Sequence, residues 1–181
     1  LLREPVRSLR RAGLVVLSRA DLIDKTERQA IRERAEASAG RPIRWLEARH
    51  APLDVLDADG RSYPLASTLG VPVAAFCGIG NPEGFRKTLE QIGTPLVGFQ
   101  EFADHHPYHA RDLSDLAAWA TGLRAELVLT TQKDLVKLRT QALGSLPLRA
   151  LRIGLDLIDG PSMLDEALTP LLPRSSPIAR V

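Results

Sequence analysis

A carboxylate and three imidazoles lie close together where a strand pattern gives way to a helix pattern. Asp104, His105 and His106 are consecutive, and His109 follows three residues later. Histidine titrates nearer to neutral pH than other side chains, so such a cluster can move a proton or bind a metal. The favoured interpretation is that Asp104 orients His105 and stabilises its charged form, so that the imidazole can remove a proton from a hydroxyl.

Two other interpretations of this cluster stay open. A metal site on His105 and His109 would indicate a metal-dependent hydrolase, but the chain lacks clustered cysteines and a further clustered ligand, so we predict no metal site. Alternatively, Asp104 only fixes a turn, and His106 and His109 are solvated.

A glycine-rich turn is the second candidate. Gly78, Gly80 and Asn81 lie between an apolar run and a predicted helix. Free backbone N–H groups at such a position can hold a phosphate or another anion. The alternative is a tight turn followed by a helix that Asn81 caps.

A third candidate segment consists of Thr131, Gln132, Lys133 and Asp134. It follows another predicted strand, where the ammonium of Lys133 is well placed to bind an anionic ligand. The alternative is that Lys133 and Lys137 belong to an ordinary solvated helix face.

The elements that must position these groups alternate between strand and helix from about Val71 onward. Apolar runs predict strands at Val73–Cys77, Leu96–Gln100, Glu126–Thr131 and Leu148–Leu155. This order predicts an α/β fold with a mostly parallel, Rossmann-like sheet and helices on both faces. Because the carboxyl ends of parallel strands share one edge, the three candidate segments should converge on one crevice.

The amino-terminal part has a different organisation. A short strand at Leu14–Ser18 and a helix capped by Thr26 are typical of the end of an α/β unit, and Asp59-Gly60 predicts a β-hairpin. We therefore predict four parts: the end of a catalytic lobe, a hairpin linker, a smaller α/β lobe and a flexible tail, at residues 1–45, 46–70, 71–173 and 174–181.

Composition excludes some classes of protein. The chain has 181 residues, 44% of them hydrophobic, and a formal charge of +2, which supports a real core but not nucleic-acid binding. No apolar run reaches membrane-spanning length. Basic residues at helical spacing could rest on anionic headgroups or form a solvated face; they are Arg3, Arg7, Arg10 and Arg11.

The order of the motifs resembles a known family. Gly78-Ile79-Gly80-Asn81-Pro82, then Asp104-His105-His106, then Thr131-Gln132-Lys133-Asp134 is similar to the carboxyl-terminal half of the tetraacyldisaccharide 4′-kinases, the lipid A 4′-kinases. The segment Val15–Asp21 also fits the middle of that family. The resemblance covers essentially the whole chain, although the family usually has glutamate where this chain has Gln132.

This resemblance implies a phosphotransferase. Such kinases transfer the γ-phosphate of ATP, with Mg²⁺, to the 4′-hydroxyl of tetraacyldisaccharide 1-phosphate, a lipid A precursor, while bound peripherally to the cytoplasmic face of the inner membrane. Asp104 and His105 match an active-site pair of the family. The histidine would help an aspartate of the amino-terminal lobe to position or deprotonate the acceptor.

One family feature is absent. A phosphate loop ends in Gly-Lys-Ser/Thr, and this sequence contains no Gly-Lys pair and no Asp-Asp-Gly-Phe-Gln segment. We therefore expect the chain to be part of a longer kinase whose amino-terminal lobe is missing here. Alone it should bind ATP and Mg²⁺ weakly and phosphorylate nothing. The main rival is a non-catalytic α/β module that binds an anionic small molecule.

Overall fold

A computed structural model describes residues 4–159 and 161–171. The predicted tail at residues 174–181 lies outside them. The strands are β1 (Leu14–Ser18), β2 (Arg44–Leu56), β3 (Ser62–Tyr63), β4 (Val73–Cys77), β5 (Leu96–Glu101), β6 (Leu127–Thr131), β7 (Ala142–Leu143) and β8 (Leu146–Asp159). The α-helices are α1 (Lys25–Ala39), α2 (Pro82–Gln91), α3 (Ala110–Gly122), α4 (Gln132–Leu138) and α5 (Pro161–Leu168), and short 3-10 helices lie at Val6–Arg11, Ala20–Leu22, Leu65–Thr68 and Thr169–Leu171.

The chain divides into two compact units. Of the described residues, one unit contains 4–51, 155–159 and 161–171, and the other contains 52–154. In the first unit β1 pairs in parallel with β2, from Leu14 opposite Arg44 to Ser18 opposite Ala48. A small core joins α1 to this pair through buried Ala35, Ala39 and Trp45. The four-part division predicted from the sequence stays a prediction.

The second unit contains the sheet that positions the candidate site. Within residues 52–154 the strands follow the order β8-β6-β4-β5, β3 pairs with the last residues of β2, and β7 pairs with the start of β8. The β4–β5, β4–β6 and β6–β8 pairs are parallel, whereas β3 and β7 pair antiparallel. The predicted mostly parallel α/β sheet is therefore confirmed.

Helices cover this sheet on both faces because its central strands are apolar on both sides. Alternate residues of β4 enter different cores. Ala74 and Phe76 pack with α3 and α4, while Val73, Ala75 and Cys77 pack with α2. All five β4 residues are fully buried, which fixes the register of the strand that leads into the glycine turn.

Most predicted elements are confirmed at their predicted places. Asn81 caps α2 by accepting the Gly84 N–H at 3.1 Å, and Pro82 is the first helical residue. The predicted hairpin forms as Val55 and Leu56 pair with Tyr63 and Ser62. Such caps and turns depend on neighbouring residues, and therefore leave a local signal in the sequence.

Two local predictions need correction, and one short strand was missed. The cap of α1 is Asp24, whose carboxylate accepts the Glu27 N–H at 2.8 Å, and Thr26 lies inside the helix. The strand β8 extends beyond the predicted Leu148–Leu155, and β2 begins long before the predicted hairpin, because charged residues continue along the exposed parts of each strand. The short β7 was not predicted.

The described helices do not include one that is both long and apolar enough to cross a membrane. The basic residues for which both membrane contact and a solvated helix face were left open begin with Arg3, which lies outside the described residues. Its remaining arginines lie in the 3-10 helix Val6–Arg11, which buries no residue.

Candidate functional site

The three candidate segments meet at one edge of the sheet in the second unit. The Phe102 N–H bonds the Cys77 carbonyl at 2.8 Å, and the His105 N–H bonds the Gly78 carbonyl at 3.2 Å. The Gly78 N–H in turn donates to the Asp134 carboxylate at 3.0 Å. The predicted convergence of segments that follow β4, β5 and β6 is therefore confirmed.

Asp104, Lys133 and His105 form the exposed part of this site. The Lys133 ammonium lies 2.9 Å from Asp104 Oδ1 and 3.3 Å from His105 Nε2. His105 Nε2 is 3.9 Å from Asp104 Oδ2, too far for a hydrogen bond. Lys133 bridges the two groups, and the orientation of His105 by Asp104 stays a prediction: the two side chains are within ion-pair distance, and the charge of His105 lowers the pKa of Asp104.

The electrostatics of this trio favour an ionised carboxylate. The hydrogen bond from Lys133 lowers the pKa of Asp104 from its usual value, and the charges of Lys133 and His105 act in the same direction against partial burial. The side chains of Asp104, Lys133 and His105 are 45%, 41% and 73% exposed. A substrate can therefore reach the trio from solvent.

The backbone at His105 holds the imidazole at this edge. Its φ is +63°, a left-handed conformation that residues other than glycine seldom adopt. The hydrogen bond of its own N–H to Gly78 fixes this conformation in place. Such strained conformations concentrate at functional sites.

His106 and His109 both contact Asp112, which is outside the trio. The His106 ring lies between Phe102 and Tyr108 and contacts the Asp112 carboxylate at 3.1 Å. The same carboxylate accepts the His109 N–H at 2.8 Å, at the start of α3. His106 thus supports the loop, contrary to the predicted role in lining the crevice, and it is not solvated as the alternative supposed.

The glycine turn is filled by protein groups. The Gly78 N–H is bonded to Asp134 and is not free to bind an anion as predicted. A Cβ atom at Gly78 would lie 3.0 Å from the Tyr108 hydroxyl and 3.2 Å from the Ala103 carbonyl. Gly80 is exposed and lies against Asp104, so a Cβ there would be 3.4 Å from Oδ2.

Asp134 lies beneath the turn and does not line the crevice, contrary to prediction. Asp134 is 0% exposed. Its carboxylate accepts hydrogen bonds from the Thr131 hydroxyl at 2.7 Å and from the Lys137 ammonium at 3.1 Å. Thr131 also accepts the Asp134 N–H at 3.2 Å, which caps α4. These contacts satisfy a charge that would be costly to bury alone.

Two functional neighbours were not predicted. Tyr108 buries its hydroxyl close to Asp134, and burial followed by the charge of Asp134 raises its pKa. Asp112 holds both His106 and His109. An acid three residues after a helix cap is a local signal that could have identified Asp112.

Metal ligands are not assembled in the part of the chain that the structure describes, since no group of three or more His, Cys, Asp or Glu has suitable geometry. The residues present also do not form a triphosphate cradle, because the sequence has no Gly-Lys pair. What the trio offers is an imidazole, a cation and a carboxylate within reach of one another. These groups can accept a proton and stabilise an anion.

Comparison with known proteins gives consistent results. A family model described as tetraacyldisaccharide-1-P 4′-kinase, LpxK, matches residues 1–172. The tetraacyldisaccharide 4′-kinase of Anaeromyxobacter sp. (strain Fw109-5) is 40% identical over 98% of this chain and 47% of its own length. That of Geobacter sulfurreducens is 36% identical over 95% of this chain and 45% of its own. The chain spans about half the length of these curated relatives.

A solved structure has the same fold. The "apo" form of LpxK from Aquifex aeolicus, in complex with ATP, matches with a TM-score of 0.61. The match has 23% sequence identity and covers 94% of this chain and 46% of that one.

Proposed function

Because this chain belongs to the tetraacyldisaccharide-1-phosphate 4′-kinase family, we propose that it is part of an enzyme that transfers the γ-phosphate of ATP to the 4′-hydroxyl of tetraacyldisaccharide 1-phosphate. The observation that carries this proposal is the convergence of Asp104, His105 and Lys133 at one exposed edge of the sheet. Phosphoryl transfer to an alcohol needs a group that accepts the hydroxyl proton and cations that balance phosphate charge.

In this proposal His105 receives or orients the proton of the acceptor hydroxyl, since its imidazole is the exposed base of the trio. Lys133 balances negative charge on a bound phosphate, as an ammonium can do as a point charge. Asp104 holds Lys133 in place through the 2.9 Å contact.

The nucleotide site is assigned to another part of the longer protein. ATP and Mg²⁺ are cofactors of the proposed reaction, but the described residues assemble no group of metal ligands, and the sequence has no Gly-Lys pair to hold a triphosphate. We expect this chain alone to bind ATP and Mg²⁺ weakly. The acceptor is a lipid, so the proposal includes peripheral contact with the cytoplasmic face of the inner membrane, for which Arg7 and Arg10 are candidates.

Substitution of Lys133 in the enzyme that contains this chain tests the proposal. Lys133→Ala should lower kcat about a hundredfold, because one preorganised charge-stabilising group typically contributes that much. The matched control is Lys87→Ala, which removes a half-exposed ammonium paired with Glu83 on α2. If Lys133→Ala and Lys87→Ala turn over equally fast, the proposed role of this edge is wrong.

A further inference from the structure

Asp134 makes a set of contacts that a ligand-lining residue would not make. Its buried carboxylate is bonded to the Gly78 N–H after β4, to the Thr131 hydroxyl at the end of β6, and to Lys137 in α4. One fully buried side chain therefore ties together two strand ends and the helix that follows.

Lys137 extends these contacts to the histidine loop. Its ammonium lies 3.5 Å from the His106 carbonyl and 5.6 Å from the centre of the Tyr108 ring. The Gly78 carbonyl, on the turn that Asp134 holds, accepts the His105 N–H. Two groups that contact Asp134 therefore hold this loop, Gly78 at the His105 N–H and Lys137 at the His106 carbonyl.

The neighbouring residue of α4 completes the arrangement. Lys133 points outward to Asp104 and His105, whereas Asp134 points inward. Any movement of the first turn of α4 would therefore shift the Lys133 ammonium and the loop that contains His105 together.

From these contacts we infer that Asp134, with Lys137 as its counter-charge, is a positioning residue that sets the place of His105 and Lys133 without touching substrate. This inference rests on the proposed kinase function. A displacement of about 1 Å at a reacting group can lower a rate about a hundredfold, so the pair should act on turnover more than on substrate affinity.

The test uses Asp134→Asn in the enzyme that contains this chain. Asparagine keeps the shape but removes the charge that faces Lys137, and it places an N–H₂ group among donors. We expect kcat to fall about tenfold to a hundredfold at equal folded concentration, with KM for ATP and for the lipid acceptor within about twofold of wild type.

Two further variants separate positioning from general stability. Asp115→Asn is the matched control, because Asp115 forms only an exposed pair with Arg111 on α3, and it should leave kcat unchanged. Lys137→Met should lower kcat in the same direction as Asp134→Asn. The double variant should lose less than the product of the two single losses, because both changes remove the Asp134–Lys137 contact.

Hydrogen exchange gives a readout that does not need activity. In Asp134→Asn, the peptide covering residues 102–108 should exchange about tenfold faster, while residues 148–152 of β8 exchange as in wild type. If the wild-type enzyme transfers no phosphate, the proposed function fails and exchange alone decides this inference. Unchanged exchange at residues 102–108, or equal acceleration in both peptides with kcat intact, would overturn it.

Discussion

Substitution of Gly78 by alanine tests the packing on which the candidate site depends. The new Cβ would lie 3.0 Å from the Tyr108 hydroxyl, 3.2 Å from the Ala103 carbonyl and 3.4 Å from Asp134 Oδ1. The carbonyl belongs to the backbone, and Asp134 is held by three hydrogen bonds, so neither neighbour can move freely.

The expected cost follows from these distances. Overpacking a well-filled site costs about 1–3 kcal/mol, and replacing glycine offsets about 0.4–1 kcal/mol of this through the unfolded chain. Because neither the carbonyl nor Asp134 can move freely, the upper half of the overpacking range applies, about 2–3 kcal/mol, and we expect Gly78→Ala to lower the free energy of unfolding by about 1–2.6 kcal/mol after the offset. For a chain of this size, that corresponds to a Tm lower by about 2–10 °C.

Gly80→Ala is the matched control, because its Cβ would meet only Asp104, at 3.4 Å. We expect it to be neutral or up to about 1 kcal/mol more stable. Urea unfolding followed by tryptophan fluorescence measures both, in a Trp45→Phe background that leaves Trp119 of the second unit as the reporter. Equal urea midpoints for Gly78→Ala and Gly80→Ala would refute the packing at the turn.

Three other predictions concern the cap of α1, acid stability and the buried thiol. Asp24→Ala should destabilise the protein by about 1 kcal/mol in thermal unfolding, because Asp24 is the residue that caps α1. Thr26→Ala should have little effect, and equal effects of the two substitutions would contradict this assignment. The Asp112 pKa is lowered by the His109 N–H and then by His106, so the contribution of Asp112 to folding stability is present above about pH 4 and lost as pH falls further. Asp112→Asn should therefore lose less stability than wild type on acidification. Identical plots of unfolding free energy against pH for the two proteins would contradict this linkage. Burial raises the pKa of the Cys77 thiol to about 12, so a disulfide reagent should label Cys77 only on unfolding; rapid labelling of the native protein would show that Cys77 is accessible.

The parts of the fold that were predicted from sequence depend on short-range patterns. A continuous apolar run identified β4, and Asn81-Pro82 identified the start of α2. Parallel pairing then placed three candidate segments at one edge without further information. The extended β2 was underestimated because its charged residues, such as Glu47 and Arg49, lie on half-buried and exposed positions that break an apolar pattern.

The details of the site depend on contacts between residues far apart in sequence. Asp134 reaches Gly78 across 56 positions, and Lys133 reaches Asp104 across 29. An aspartate in a helical first turn is usually solvated, so nothing local indicated that Asp134 is buried. The left-handed backbone of His105 likewise depends on the Gly78 carbonyl, which only the folded sheet supplies.

The most direct test of the central claim is phosphate transfer from ATP to tetraacyldisaccharide 1-phosphate by the enzyme that contains this chain, measured for His105→Ala beside His50→Ala. His50 is an exposed histidine on β2 and serves as the control. The proposed role of His105 predicts a rate at least about a hundredfold lower for His105→Ala, with His50→Ala close to wild type. Equal rates for the two variants would show that the His105 edge does not take part in the reaction.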